Sequence, residues 1–573
     1  FGSSSKVYSA AFFVLWAAPW AFSSRQPAML LTMDSRTARR WMSACVGASI
    51  VAITGKLFLL WVRTRRMKRL LSGVPFAHYK HSNWMGFYPD MVANKHRLHE
   101  WRDEVSRGLP ICKLVGLPPD PTAIFIIVRE PEGVKHFLKD NFDNYTKAPR
   151  SQDHFWYYLN VWLGLGIFTM RHGRGAEDGG HGWMKQRKIA AGIFSRANFN
   201  NNMQRVFAAK AQKLQDLLAG PAERGEKFDM QQHFFSFTMD SIMQIFFGEP
   251  TDTLGGTPSA YGSAYDAAHK SYMDYVVSAG PTLKMFTLLP WPVGGVGGLL
   301  WKLQELRSPL QRIFKSSCRT LDSESQRLVH ACRSDPKLAE RSDLLALFVQ
   351  CEEKEKFSTT FLRDLVLNFV IAGRDTTACT LSWMFYVLAT TPDVQDKLCK
   401  EVDAKCPRGS AMTFKQLSAS EMPYLNGVLY ETLRVYPPVP FDAKTSFQDD
   451  VFPDGTHVPG GCEVMFLPFA MGRDPSRYTD PMKVDPERWI PFSEPSPHEF
   501  PVFQAGPRTC LGKDMAIFEA KLAACVLLQE YAFELAPGEA ERITYGNMLT
   551  MAVCNSPTQD SHNLWLIPKK RHA

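Results

Sequence analysis

The segment Phe503-Gln-Ala-Gly-Pro-Arg-Thr-Cys510-Leu-Gly512 concentrates the residue types that can present one sulfur to a metal. A single cysteine stands between Gly506 and Gly512, with Arg508 two residues before it and Phe503 seven before it. The thiolate rather than the thiol is the metal ligand. Backbone N–H groups of the loop, and of a helix starting at about Lys513, would favour the anion. The two glycines would let the backbone turn tightly and approach a flat ligand closely, and Phe503 would shield the sulfur from water. Taken alone, a free cysteine is more often a buried structural residue.

Three upstream patterns could serve the same site. Trp183 and Arg187 fall four apart in a helical stretch and so share one face; an indole N–H and a guanidinium there suit a carboxylate, although such a pair is often only a stacked surface contact. Ala372-Gly-Arg-Asp375-Thr376-Thr377 interrupts the long apolar helical run Leu362–Ala389 with a glycine and polar groups that compete for backbone hydrogen bonds. Local violations of this kind tend to mark function. A widened turn beside Thr376 would make room for dioxygen, with a hydroxyl and a carboxylate for proton delivery; an N-cap or a kink is the plainer reading. Glu431 and Arg434 stand three apart, just before the break at Pro437-Pro438. By itself a pair at this spacing is an ordinary surface contact worth a few tenths of a kcal/mol.

The order and spacing of these motifs resemble those of the haem-thiolate monooxygenases, the cytochrome P450 family: F-x-x-G-x-R-x-C-x-G, A-G-x-D-T-T, E-x-x-R and P-E-R-F, with Trp489 in place of the Phe. The resemblance extends from about residue 75 to the end. It implies a mainly α fold with a smaller β-rich part, behind an N-terminal membrane anchor. It implies haem b held through Trp183, Arg187, Phe503, Arg508, Cys510 and Gly512, with Cys510 the axial iron ligand that pushes electron density toward O–O cleavage. Thr376 would protect the activated oxygen and Asp375 would relay protons from solvent. Glu431, Arg434 and Arg488 would be structural and hold the loop that carries Cys510. NADPH would act only indirectly, through a membrane-bound flavoprotein reductase docking over Cys510, where Arg508 and Lys513 would favour it. Lys444 stands where the family often has an arginine against haem, and lysine cannot fork.

For the substrate, Pro437-Pro-Val-Pro-Phe-Asp-Ala-Lys444, Asp449-Asp-Val-Phe-Pro-Asp-Gly455, Asn141-Phe-Asp-Asn-Tyr145 and Gln186-Arg-Lys188 look like the plant and fungal fatty-acid ω-hydroxylase branch. Met471-Gly-Arg473-Asp-Pro475 keeps only part of that branch's pattern. The resemblance implies hydroxylation at or near the methyl end of a fatty acid. A sterol or other apolar lipid is the alternative substrate. A hydroperoxide-rearranging enzyme would leave Asp375 and Thr376 without a task, and a haem-binding sensor or lipid carrier is the non-enzymatic alternative.

The elements that must position these residues follow from patterning. The 573 residues are 45% hydrophobic, so a large core is available. A net charge of +9 at this length does not argue for nucleic acid, and the 12 cysteines form no C-x-x-C and no zinc spacing. Residues 1–40 read as a leader, unless chain initiation falls at Met33. Residues 41–62 are apolar enough to span a bilayer, interrupted only by Lys56, and the basic stretch 63–75 then places the bulk of the chain in the cytosol. The endoplasmic reticulum is the expected membrane, or a plastid if the leader is a transit sequence. Residues 76–573 form the monooxygenase domain. Within it, a strand is expected at 123–128, helices at 131–141, 228–248 and 259–277, a Pro/Gly-rich break at 281–298, a Gly-rich insertion at 171–182, and strands and turns at 449–461 and 464–469.

Overall fold

The computed structural model describes residues 64–80, 86–116, 124–147, 154–173, 181–194, 202–288, 302–409, 412–546, 549–556 and 561–571, with single positions between 47 and 62. Helices dominate, and one five-stranded sheet is built from strands far apart in the chain.

The central element is α7 (Thr359–Thr390). Ser358 starts it, its hydroxyl accepting the Phe361 N–H, and Pro392 follows its end. At 32 residues it is about 48 Å long, and being apolar on nearly all sides it is buried on nearly all sides. Helices α4 (Met230–Phe247), α6 (Pro309–Arg333) and α8 (Pro423–Val435) pack against it. The crossing with α4 explains Gly373: a Cβ there would sit 2.3 Å from Ile242 Cδ1. The widened turn expected beside Thr376 does not form, because the helix is α throughout and the Thr376 hydroxyl donates to Ala372 O at 2.9 Å.

The sheet runs in the order β1 (Ile111–Val115), β2 (Ile124–Val128), β5 (Glu463–Phe466), β4 (Asp442–Ser446), β3 (Tyr145–Thr146). β2 pairs antiparallel with β1, from Ile111↔Val128 to Val115↔Ile124, and parallel with β5, from Phe125↔Glu463 to Val128↔Phe466. Strand alternation divides the side chains. Ile126, Val128, Val464 and Phe466 face one core with Phe137 and Phe452; Cys112, Leu114, Ile127 and Met465 face another with Phe87 and Trp101 of helix α1 (Leu98–Ser106).

Several expectations change. The region before β2 holds strand β1 as well as a helix; β1 escaped notice because Lys113 sits in its middle, buried with its Nζ on Leu71 O at 2.6 Å. The break expected at 281–298 is not where the helix ends: α5 runs Ala260–Leu288, through Pro281. Residues 289–301 lie outside the described residues. Residues 449–461 form a short hairpin, Asp450–Val451 against His457–Val458, with Gly455 at φ 85°. In the basic stretch 63–75, Met67, Leu71 and Val74 are buried against the sheet. The leader, most of 41–62 and positions 174–180 of the Gly-rich insertion lie outside the described residues. Among the described residues no helix is long and apolar enough to cross a membrane.

Candidate active site

The segment before α9 (Lys513–Glu530) is set by backbone geometry. Gln504 takes φ 63° and Gly506 φ 64°. A Cβ on Gly506 would lie 2.0 Å from Leu138 O, so this glycine serves close approach to the protein's own backbone rather than to a ligand. Gly512 is ordinary at φ −96°, the nearest atom to a Cβ being Phe194 at 3.3 Å; it caps α9. The Cys510 N–H donates to Phe503 O at 2.8 Å, closing the turn.

Cys510 opens onto a cavity of about 480 Å³ and lies deep beneath the outer surface. Burial therefore pushes its thiol up, against the Gly512 N–H and the Arg187 and Lys513 charges, which act to lower it. Gly373, Thr376 and Thr377 of α7 line the same cavity, as do Phe503 and Gly512. Most of the remaining wall is aliphatic or aromatic, including Phe87, Leu159, Phe246, Leu433 and Met465.

One edge of the cavity is cationic. Trp183 and Arg187 sit on α3 (His181–Ala190), and both line it. Arg187 Nη2 donates to Thr509 O at 2.6 Å, beside Cys510, while the Arg508 guanidinium lies 4.4 Å over the Trp183 ring. Arg508 points inward: it donates to Ile167 O (3.1 Å), Met170 O (2.7 Å) and His172 Nδ1 (3.0 Å from Nε, 2.8 Å from Nη2). The expected role of Arg508 on an outer docking face is thereby corrected, and Lys513 is engaged with Glu494. His172 Nε2 in turn donates to Phe142 O, and burial with the neighbouring Arg508 holds the ring neutral, at about 2. On β4, Lys444 and Asp442 also line the cavity, with Lys147 Nζ 3.0 Å from Asp442 Oδ1. Burial drives the Lys444 ammonium down to about 7 despite Asp442 beside it.

Asp375 does not line the cavity. It is wholly buried behind Thr376, accepting from Arg374 Nη1 (3.0 Å) and Tyr265 OH (3.2 Å), with His269 Nδ1 at 3.1 Å. The Leu549 N–H donates to His269 Nε2 at 2.9 Å, which puts the ring proton on Nδ1, facing Asp375. Burial would raise the Asp375 carboxyl, but His269, Arg374 and Tyr265 outweigh it and hold it below the usual range. Arg374 continues to the half-exposed Asp266 at 2.7 Å, so the cluster reaches the surface.

The expected charge cluster forms in full. Glu431 accepts from Arg434 Nε (2.8 Å) and Nη2 (2.7 Å), Arg488 Nε (3.3 Å), Trp489 Nε1 (3.0 Å) and the Asp485 N–H (2.9 Å). Trp489 thus contributes a donor that phenylalanine would lack. Arg434 also donates to the carbonyls of Gly472, Pro481 and Lys483. The cluster ties α8 to residues 472–489 and reaches the cysteine loop indirectly, through Tyr430, Trp489 and Phe500, whose rings lie 5.4 to 5.9 Å apart.

His269, Tyr265, Lys147, His172 and Gln504 were not singled out from sequence. The first four lie outside the motifs quoted above, and Gln504 fills an unspecified position of the cysteine motif; only its positive φ marks strain, and that is invisible before folding.

The cationic edge carries Lys147, Arg187, Lys444 and Arg508 against Asp442. An apolar slot with one cysteine thiol and four cations along one edge fits a flat, dianionic iron porphyrin. The model of the family described as Cytochrome P450 matches residues 121–561. The chain is 31% identical over 528 residues to Cytochrome P450 704C1 of Pinus taeda, covering 85% of this chain and 94% of that protein. It is 32% identical over 463 residues to Cytochrome P450 CYP94D109 of Paris polyphylla (78% and 86% covered), and 32% over 446 residues to Cytochrome P450 94C1 of Arabidopsis thaliana (75% and 82%). This fold, with its cysteine loop facing the cavity, is that of a haem-thiolate monooxygenase. The chain belongs to the cytochrome P450 family, whose cofactor is haem b.

Proposed function

We propose that this protein hydroxylates a fatty acid at or near its methyl end, using dioxygen and electrons passed from NADPH by a flavoprotein reductase. The observation that carries the reading is that Cys510 and Thr376 open onto one apolar cavity with a cationic edge. In this reading Cys510 would hold the haem iron through its thiolate, Trp183, Arg187 and Arg508 would hold the carboxylates of the porphyrin, and Phe503 and Gly512 would flank the sulfur. Bound there, haem supplies the activation of dioxygen. Thr376 steadies the oxygen side of the cavity and Asp375 is the proton relay behind it. The fatty-acid assignment is supported by the likeness of residues 437–444, 449–455, 141–145 and 186–188 to the ω-hydroxylase branch. We further propose a membrane anchor over residues 41–62: Val51, Phe58, Leu59 and Trp61 are helical and more than half exposed, an apolar surface suited to lipid.

The test is turnover with reductase and NADPH on a panel of saturated fatty acids and sterols. The expected products are hydroxylated at or next to the terminal carbon, and sterol oxidation with no fatty-acid oxidation would overturn the assignment. Thr376→Ala should keep the reduced, CO-bound spectrum but divert NADPH-derived electrons to hydrogen peroxide. Equal product per NADPH in wild type and variant would remove Thr376 from proton delivery.

A further inference from the structure

The cavity holds a cation that the haem site does not use. Arg102, on α1, lines the wall formed by that helix and the sheet. Its guanidinium lies 4.0 Å over the Phe441 ring, and its one side-chain hydrogen bond among the described residues runs from Nη1 to His99 Nδ1, at 3.3 Å. No carboxylate among the described residues comes within ion-pair distance of it. Glu463, in β5, also faces the cavity; its charge favours the Arg102 cation, as that of Tyr545 would, but burial dominates and lowers Arg102 to about 10. The other cavity cations differ. Lys147 and Lys444 share Asp442, Arg508 spends its donors on carbonyls and His172, and Arg187 holds Thr509 O. All four line the cationic edge described above.

The neighbour of Arg102 adds a second donor. Arginine only donates, so His99 Nδ1 accepts and its ring proton sits on Nε2. His99 is itself buried and lines the cavity; burial, then the charges of Arg102 and Arg473, hold it neutral. A guanidinium with no ion-pair partner among the described residues, beside an imidazole N–H, is matched by a carboxylate, which can accept from both and form the strong charge-assisted pair.

We propose that Arg102, with His99 beside it, binds the carboxylate of the fatty-acid substrate. The proposal rests on the fatty-acid reading above and makes it more specific. With the charged end held at the α1 wall, the hydrocarbon chain is left to fill the apolar remainder of the cavity, so oxidation falls away from the carboxyl end. Arg102 thereby becomes a specificity residue, since it decides which end of the chain is free.

The experiment measures equilibrium binding of hexadecanoic acid and its methyl ester to the holoenzyme, by calorimetry and by the substrate-induced change in the haem spectrum. Wild type, Arg102→Gln and Arg102→Lys are compared, each first shown to have an intact reduced, CO-bound spectrum. Loss of one partner of a buried charge pair predicts that Arg102→Gln weakens the acid at least about 30-fold. The ester should stay within about threefold of wild type, and Arg102→Lys should recover part of the acid affinity. Equal weakening of acid and ester, or undiminished acid binding by Arg102→Gln, would overturn the carboxylate role while leaving fatty-acid turnover intact. If wild type binds neither acid nor ester, it is the fatty-acid reading itself that fails.

Discussion

Cys510→Ala is expected to fold yet lose monooxygenase turnover to background, with the strongly red-shifted Soret band of the reduced, CO-bound wild type absent. The fold should survive because little of it depends on this side chain. The turn is closed by backbone, through the Cys510 N–H on Phe503 O, and by Gly506 packed on Leu138 O. The cysteine faces cavity space rather than packed core, so truncation leaves no new void inside the protein. Chemistry should fail because no other thiol stands in for it: Cys510 is the one cysteine among the cavity-lining residues. Haem content, the CO-bound spectrum and NADPH-dependent product formation check the three parts separately. A red-shifted band that persists in the variant would sink the assignment of the ligand.

Glu431→Ala should have the opposite character, losing the fold before the chemistry. The carboxylate is fully buried and accepts five hydrogen bonds, two of them from Arg434, which is itself fully buried. Its removal leaves a guanidinium uncompensated in the core and strands the Trp489 and Asp485 donors. Breaking a buried pair in this way costs roughly 3–5 kcal/mol, against a typical total stability of about 5–15 kcal/mol. The expected result is a large drop in thermal midpoint, with little haem-loaded protein recovered. Arg488→Met is the comparison: Arg488 makes one 3.3 Å contact to Glu431, its other hydrogen bonds go to the exposed carbonyls of Thr479 and Asp480, which water can satisfy, and its side chain is partly solvated, so the loss should be nearer 1 kcal/mol. Equal effects of the two substitutions would mean that the carboxylate is not the centre of the cluster.

The two predictions fall on motifs that were legible before any coordinates, and for the same reason: each motif is a short segment whose function depends on local spacing. Cys510 sits seven residues after Phe503, and Glu431 three before Arg434, on one helix face. The long helix around Thr376 was equally plain, because a run that is apolar on all sides has to be buried. Where the reading went astray, a distant contact had overruled a local preference. Gly373 was taken as a sign of a widened turn, but it admits Ile242 from another helix. Pro281 was taken as a stop, yet α5 continues through it. Arg508 was placed on the outside, although its donors face carbonyls and a histidine more than 300 residues away.

By itself, then, the sequence determined the family, the cysteine loop, the hydroxyl-bearing helix that lines the same cavity and the charge cluster that braces the scaffold. These are properties of residues near one another in the chain, and spacing alone encodes them. Only the tertiary structure decided how the charges are distributed around the cavity. Folding brings Arg102 against Phe441 with no carboxylate among the described residues at ion-pair distance, joins Lys147 to Asp442, and sets His269 against Asp375. Whether a buried cation is satisfied depends on every group that surrounds it, and those groups come together only when the sheet and the helices close over the cavity.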